Sequence, residues 1–229
     1  MPVEVKICGV MRPGDARLAA EAGADYVGAV LSPGFGRTVA AELAATYLVG
    51  SGADTPEGTA DGAGGDVGAA VPEADEADGL RASGPTLVAV LVDPAPDEAI
   101  RLARTAGAGV LQLHGDEPPE LLRALRAEGD WSLWKAVRVA AADDVRRAVE
   151  RWVGVADALL LDGAREGTRG GGHGVRFPWK AAEEARDALS GAGLGLVVAG
   201  GLEPDNVAEA VRRLAPDVVD VSSGVEASK

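Results

Sequence analysis

The sequence is short of cysteine, of basic residues and of long apolar runs, and each shortage excludes a class of protein. A single cysteine, Cys8, among 229 residues excludes a disulfide framework and is typical of a reducing compartment. No apolar run approaches the roughly 18 residues of a transmembrane helix, and the N-terminal segment does not resemble a signal peptide. With 22 basic against 36 acidic residues, the net charge of −14 argues against nucleic acids and anionic membranes as partners. We therefore expect a cytoplasmic protein.

Aromatic residues are also scarce, at 3% of the chain, whereas apolar residues make up 47%. The core must therefore consist mainly of Ala, Val and Leu, which suits helices packed closely on a parallel sheet. The length permits one large domain or two small ones. We expect a single domain over residues 1–229.

Apolar segments that alternate with amphipathic segments run through most of the chain. The first, from Val3 to Val10, alternates apolar and polar side chains and predicts a strand with Cys8 near its end. The other predicted strands are 25–31, 87–92, 110–115, 134–139, 158–163, 196–201 and 218–224. Seven predicted helices, often opened by Pro and closed by Gly, separate these eight strands. This order predicts an α/β fold, a (β/α)8 TIM barrel, with a doubly wound parallel sheet as the alternative.

Two features depart from the regular alternation. Residues 51–84 are rich in Gly, Ala, Asp and Glu, and eight acidic residues precede the first basic residue there, Arg81. This composition predicts a disordered, low-complexity acidic insertion between the second helix and the third strand. After the eighth strand the sequence ends at Lys229, so a final helix is expected to be lacking. We expect that loss to expose apolar surface, and so to cause self-association or reduced stability.

Two reactive side chains are predicted at the carboxyl ends of strands, where barrels carry their active sites. Cys8 ends the first strand and Asp162 ends the sixth, and a thiol and a carboxyl that share a pocket can act as base and acid. Cys8 would need nearby positive charge to ionise near neutral pH, and Lys6 on the same strand face is one source. Asp162 would need a raised pKa. The structural alternatives are a small buried side chain for Cys8 and a turn-capping role for Asp162.

The turns after the seventh and eighth strands predict a phosphate site, because glycines let backbone N–H groups approach an anion closely. The residues concerned are Gly200, Gly201, Ser223 and Gly224. Arg37 follows a glycine-rich loop from which it could reach a substrate carboxylate, although a solvated surface position is the alternative. For His114, structural hydrogen bonding is favoured over proton transfer. No cluster has metal-ligand spacing, and no dinucleotide-binding glycine motif follows the first strand.

Five segments carry a further signal. They are Lys6-Ile7-Cys8-Gly9, Gln112-Leu113-His114-Gly115-Asp116-Glu117, Leu160-Leu161-Asp162, the run from Gly200 to Val207 and the run from Val219 to Glu226. In this order they resemble the phosphoribosylanthranilate isomerase family of tryptophan biosynthesis, with a match from Val3 to Glu226 outside the insertion. The resemblance implies an Amadori rearrangement that converts N-(5-phosphoribosyl)anthranilate to 1-(2-carboxyphenylamino)-1-deoxyribulose 5-phosphate. It implies no cofactor and no metal.

The same resemblance implies a role for each candidate residue. Asp162 would be the general acid that protonates the furanose ring oxygen, and Cys8 the general base that removes the C2 proton. Arg37 would hold the anthranilate carboxylate, with His114 and Asp220 lining the pocket. The glycine and serine turns would hold the phosphate of a small phosphorylated substrate. We expect a monomer or a homodimer.

Two other functions remain open. A dual-substrate sugar isomerase of the histidine pathway shares this fold. Such enzymes resemble this chain but have Asp at the end of the first strand, so Cys8 argues against this alternative. A barrel that binds a phosphorylated ligand without catalysis is the alternative from a different class of protein.

Overall fold

The computed structural model of the protein describes residues 2–48, 84–163 and 178–226. Eight parallel strands pair in sequence order and close into a barrel. The first strand pairs with both the second and the eighth, so the sheet has no edge. The predicted (β/α)8 TIM barrel is therefore confirmed, and the doubly wound sheet is excluded.

Strands and helices alternate along the described parts of the chain. The strands are β1 (Glu4–Cys8), β2 (Tyr26–Val30), β3 (Thr86–Leu91), β4 (Val110–Leu113), β5 (Ser132–Val139), β6 (Ala158–Gly163), β7 (Gly195–Val198) and β8 (Val218–Val221). The helices are α1 (Pro13–Glu21), α2 (Ala41–Ala44), α3 (Pro96–Ala106), α4 (Pro119–Glu128), α5 (Ala142–Trp152), α6 (Trp179–Glu184), α7 (Arg186–Gly191) and α8 (Val207–Leu214). A short 3-10 helix, Ser223–Val225, follows β8.

The sixth unit differs from the single helix predicted there. Two helices, α6 and α7, meet at Ala185, whose φ of −100° and ψ of 8° interrupt the helical geometry. The Ala185 N–H still donates to the Ala181 carbonyl oxygen at 3.2 Å. The described residues therefore hold eight α-helices rather than seven, because one buried residue departs from helical angles.

The two unusual segments fall mostly beyond what the structure describes. The segment 51–84 lies between α2 and β3, and only its last residue, Gly84, is among the described residues. Its predicted disorder stays a prediction. The description ends at Glu226, just after the 3-10 helix, so the expected effect of lacking a final helix also stays a prediction. Within the described ranges, no helix combines the length and the apolar character that crossing a membrane requires.

Side chains alternate along each strand between the barrel interior and the layer beneath the helices. On β1, Val5 and Ile7 pack under the helices, whereas Cys8 packs against the interior layer. That layer contains Val88, Val90, Val110, Trp134, Ala136, Ala158, Leu160, Val197, Ala199 and Val218. Burying each Val or Leu contributes about 1.5–3 kcal/mol to the hydrophobic free energy. The interior is thus a packed core that holds the carboxyl ends of the strands, and the side chains there, in fixed positions.

Candidate active site

A pocket of about 300 Å³ opens at the carboxyl ends of the strands. This volume is at the lower end of the range for small-molecule sites. All nine predicted site residues line it, which are Cys8, Arg37, His114, Asp162, Gly200, Gly201, Asp220, Ser223 and Gly224. They converge because every parallel strand delivers its carboxyl end to the same rim.

Asp162 and His114 face each other inside this pocket. The Asp162 Oδ2 atom lies 3.6 Å from His114 Nε2, and Oδ1 accepts the N–H of Gly163 at 2.7 Å. On the other side of the ring, His114 Nδ1 lies 3.0 Å from Gln112 Nε2. Because the Gln112 amide nitrogen donates, Nδ1 accepts and the proton of a neutral ring sits on Nε2, toward Asp162. The His114 ring therefore presents its N–H group toward one side of the Asp162 carboxyl.

Cys8 sits beside a buried ion pair. The Lys6 side chain is fully buried, and its Nζ atom lies 2.8 Å from Asp220 Oδ2. Burial raises the pKa of the Cys8 thiol, the Asp220 carboxylate raises it further, and the Lys6 charge opposes both. Lys6 thus supplies the positive charge that the sequence suggested for Cys8, but the net shift of this pKa is upward.

Arg37 reaches across the mouth of the pocket from the loop after β2. Its Nη1 atom donates to Ser222 Oγ, and Nη2 lies 2.8 Å from Glu226 Oε1. The Ser222 hydroxyl in turn donates to the Cys8 carbonyl oxygen at 3.0 Å. Gly9 has a φ of +76°, and a Cβ atom there would lie 2.8 Å from Arg37 Cδ. Glycine at this position therefore leaves room for the Arg37 side chain beside Cys8.

The turns after β7 and β8 touch each other at one end of the pocket. Gly200 and Gly201 have φ values of 81° and 63°, which glycine adopts readily. A Cβ atom on Gly224 would lie 2.0 Å from the Leu202 carbonyl oxygen. The Asn206 side chain holds the first turn, because it accepts the Glu203 N–H and donates to the Gly201 carbonyl oxygen. Glycine on both turns thus allows two backbone segments to approach closely where phosphate was predicted.

The sequence placed Lys6 beside Cys8 but did not show that Lys6 pairs with Asp220. It also did not indicate Ser222 and Glu226 as the partners of Arg37. Lys6 and Asp220 occupy paired positions of β1 and β8. Ser222 follows Asp220 by two residues, the spacing that keeps side chains on one face of a strand. This period of two residues can be read from the sequence, but only the pairing of β1 with β8 shows which side chains come into contact.

A second buried ion pair supports the turn that carries His114. Lys135 Nζ lies 3.0 Å from Glu117 Oε2, and both side chains are almost fully buried. Lys135 also donates to the carbonyl oxygens of Leu113 and Gly115, on either side of His114. Glu117 accepts the Gly115 N–H at 2.9 Å. This network fixes the end of β4 at the rim of the pocket.

Comparisons with known proteins agree in sequence and in fold. The family model of N-(5'-phosphoribosyl)anthranilate (PRA) isomerase matches residues 68–228. The N-(5'-phosphoribosyl)anthranilate isomerase of Myxococcus xanthus is 39% identical over 233 residues, covering 100% of this chain and 89% of that protein.

Two solved structures of phosphoribosylanthranilate isomerases each cover 99% of this chain and 90% of their own. Monomers of the dimeric enzyme from Thermotoga maritima match with a TM-score of 0.71 at 31% identity. An isomerase in complex with reduced 1-(o-carboxyphenylamino)-1-deoxyribulose 5-phosphate matches with a TM-score of 0.72 at 30% identity. This chain belongs to the N-(5'-phosphoribosyl)anthranilate isomerase family.

Proposed function

We propose that this protein catalyses the Amadori rearrangement of N-(5-phosphoribosyl)anthranilate to 1-(2-carboxyphenylamino)-1-deoxyribulose 5-phosphate, an aldose–ketose isomerisation in tryptophan biosynthesis. One observation carries the proposal: a thiol and a carboxyl line the same pocket, between a cation on one loop and glycine turns on two others. The family assignment supports the same reaction. A related isomerase binds a reduced form of this product, which further supports the substrate class.

The first step opens the sugar ring. Asp162 donates its proton to the furanose oxygen while the C1–O bond breaks and the anilino nitrogen lone pair forms the C1=N bond. The backbone N–H of Gly163 holds the Asp162 carboxyl in one orientation, and the His114 ring lies 3.6 Å from its other oxygen. Fixed orientation lowers the barrier because the proton donor already faces the oxygen that leaves.

The second step moves a proton from carbon. The Cys8 thiolate removes the C2 proton, the electrons of that C–H bond form the C1=C2 bond, and the C1=N π electrons return to the nitrogen, which gives an enolamine. The C2 hydroxyl then loses its proton as C1 gains one, which gives the ketone. No atom is added or lost, so an acid and a base suffice for the reaction.

The substrate is anchored at both ends. The Arg37 guanidinium binds the anthranilate carboxylate, since its planar fork of donors matches a carboxylate. The backbone of Gly200, Gly201, Ser223 and Gly224 binds the phosphate. His114 and Asp220 line the space between the two anchors. Holding both ends aligns C1 and C2 with the acid and the base.

Further parts of the proposal concern the whole protein. We propose that residues 1–229 act as a single domain that is active in the cytoplasm without metal or cofactor. A monomer or a homodimer is proposed, and the related enzyme of Thermotoga maritima is described as dimeric. The net charge of −14 supports a small-molecule substrate over nucleic acid.

The test is turnover of N-(5-phosphoribosyl)anthranilate by the full chain, with complementation of an isomerase-deficient tryptophan auxotroph. The wild-type protein should turn over and complement, whereas Cys8→Ala and Asp162→Asn should each lose at least about a thousandfold in kcat. Binding of a reduced product analogue without turnover would favour the non-catalytic barrel. Equal turnover of the histidine-pathway aminoaldose would instead favour the dual-substrate isomerase.

A further inference from the structure

Lys6 and Asp220 form a buried ion pair between β1 and β8, in a largely apolar barrel interior. Their side chains are 0% and 7% exposed, and Lys6 Nζ lies 2.8 Å from Asp220 Oδ2. A buried ion pair gives little net stability compared with apolar residues of the same size, because desolvation of both charges offsets their attraction. Packing alone therefore gives no reason for these two charges, and a function at the neighbouring pocket is the better explanation.

The carboxylate of Asp220 is only partly satisfied by this pair. Oδ2 accepts from Lys6, whereas Oδ1 is buried and finds no hydrogen-bond donor in the described parts of the chain. Asp220 lines the pocket, but Lys6 does not. Lys6 can therefore influence the reaction only through the groups that it touches.

The Cys8 sulfur lies next to the same lysine. Gly28 pairs with Cys8 in the register of β1 and β2. A Cβ atom on Gly28 would lie 3.0 Å from Cys8 Sγ and 3.2 Å from Lys6 Cε. The absence of a side chain at Gly28 thus lets the lysine stem and the sulfur occupy adjoining space. A positive charge so close to a thiol favours its thiolate form.

The other charged groups around Cys8 are few, and most have partners of their own. The described groups are Lys6 on β1, Arg37 after β2, His114 just after β4, Asp162 on β6, Glu203 after β7 and Asp220 on β8. Strand β3 contributes Val90, which is apolar, and none of the described residues of β5 lines the pocket. Arg37 is engaged by Glu226, and His114 faces Asp162. Lys6 is thus the cation placed to act on the sulfur, and Asp220 is the group that competes for it.

We infer that Lys6 is the charge that stabilises the Cys8 thiolate, and that Asp220 weakens this stabilisation by pairing with the same charge. Lys6 is then a positioning residue that acts through Cys8, and the Lys6–Asp220 pair sets how readily the proposed base ionises. The direction of the Cys8 pKa agrees, since Asp220 raises it and Lys6 lowers it. The inference rests on the proposed function for its purpose, but the ionisation itself can be measured without substrate.

Because Cys8 is the sole cysteine, the rate of its alkylation by iodoacetamide in the full-length protein reports one thiol. The pH dependence of that rate gives the thiol pKa, since only the thiolate reacts. In the wild-type protein, this pKa should lie above the value of about 8.5 for a free cysteine. A wild-type pKa below that value would overturn the inference, whatever the variants do.

Two variants separate the roles of the pair. Asp220→Asn removes the competing charge with little change in shape, and it should lower the Cys8 pKa by at least about one unit, a tenfold faster alkylation at neutral pH. Adding Lys6→Met to Asp220→Asn should reverse that shift, because the stabilising cation is gone. Equal pKa values in the single and double variants would show that Lys6 does not act on the sulfur, and no shift in Asp220→Asn would show that Asp220 does not compete for its charge; either result would overturn the inference.

Glu117→Gln is the matched control, since it breaks the buried Lys135–Glu117 pair on the other side of the barrel. It should lower stability without moving the Cys8 pKa. In turnover assays, the ascending limb of the kcat/KM profile should move to lower pH in Asp220→Asn by the same amount as the thiol pKa. A shifted alkylation pKa in Asp220→Asn with no turnover by the wild-type protein would contradict the proposed function but support the inference, whereas turnover by the wild-type protein with unshifted alkylation in Asp220→Asn would do the reverse.

Discussion

The Nη2 atom of Arg37 lies 2.8 Å from Oε1 of Glu226, so the cation proposed for the substrate carboxylate already pairs with a carboxylate of its own chain. The two side chains are 28% and 37% exposed. An ion pair at this exposure contributes about 0–1 kcal/mol. The pair is thus weak enough for an incoming substrate carboxylate to displace Glu226 from Arg37. Breaking the pair nevertheless costs free energy, which weakens substrate binding.

We predict that Glu226→Gln lowers the KM about twofold to fivefold and leaves kcat unchanged, because the substrate carboxylate no longer competes for Arg37. Steady-state kinetics measures both constants. Glu203→Gln is the control, since it removes a carboxylate from the same pocket rim without touching the Arg37 pair. A higher KM in Glu226→Gln would mean that Glu226 orients Arg37 rather than competing with the substrate.

The close approach of the two glycine turns gives a second prediction. A Cβ atom on Gly224 would lie 2.0 Å from the Leu202 carbonyl oxygen and 3.3 Å from the Glu203 Cα atom, and backbone atoms cannot rotate away. Gly224→Ala should therefore separate the turns, raise the KM for the phosphorylated substrate by at least about tenfold and lower the melting temperature.

Gly14→Ala provides the comparison for that variant. Gly14 lies in α1, and a Cβ atom there meets nothing within 4 Å. Alanine in this helix should leave the KM unchanged and add up to about 1 kcal/mol of stability. An unchanged KM in Gly224→Ala would show that this turn does not bind the phosphate.

The buried Lys135–Glu117 pair should matter far more to stability than a surface pair. Lys135→Met leaves the Glu117 carboxylate buried without its cation, which we expect to cost about 3–5 kcal/mol in urea unfolding. Arg126→Met breaks the exposed Arg126–Asp157 pair, with side chains 45% and 42% exposed, and should cost less than about 1 kcal/mol. Similar losses in the two variants would contradict the role of burial.

The hydrogen bonds of the Asp144 carboxylate lead to a prediction about how the free energy of unfolding changes at acidic pH. Its carboxylate accepts the N–H groups of Ala140 and Ala141 at 2.9 Å, before the first turn of α5. The Ala140 hydrogen bond is the first of the causes that lower the Asp144 pKa. Because the folded pKa lies below the unfolded value of 3.8, this stabilisation is present above that pH and is lost as the pH falls through the folded pKa.

Asp144→Asn should therefore lower the free energy of unfolding by about 1 kcal/mol at neutral pH and by less in acid. Unfolding by urea at several pH values measures this difference. Asp143→Asn is the neighbouring control, because Asp143 pairs with the exposed Arg146 side chain. A loss for Asp144→Asn that did not shrink on acidification would argue against the carboxylate as its source.

Local patterns determined much of the fold. The sixth strand is observed over its predicted residues, Ala158–Gly163. Its end could be predicted because an apolar run followed by Asp and Gly indicates where a strand stops. Helix α3 spans Pro96–Ala106, opened by proline and closed by Gly107 at a φ of 66°, as helix-start and helix-stop signals in the sequence indicate. The positions of Cys8, Asp162 and the glycine turns at strand ends follow from the same local rules, since all parallel strands end at one rim.

Only the tertiary structure decided which side chains pair across that rim. Lys6 and Asp220 are 214 residues apart in the chain and meet because β8 closes against β1. Arg37 and Glu226 meet for the same reason. The period of a sequence records which face a residue occupies, whereas a contact between distant strands depends on the register of the closed barrel. The pairing of Lys6 with Asp220 therefore required the folded chain, whereas Cys8 and the charge of Lys6 on the same strand face did not.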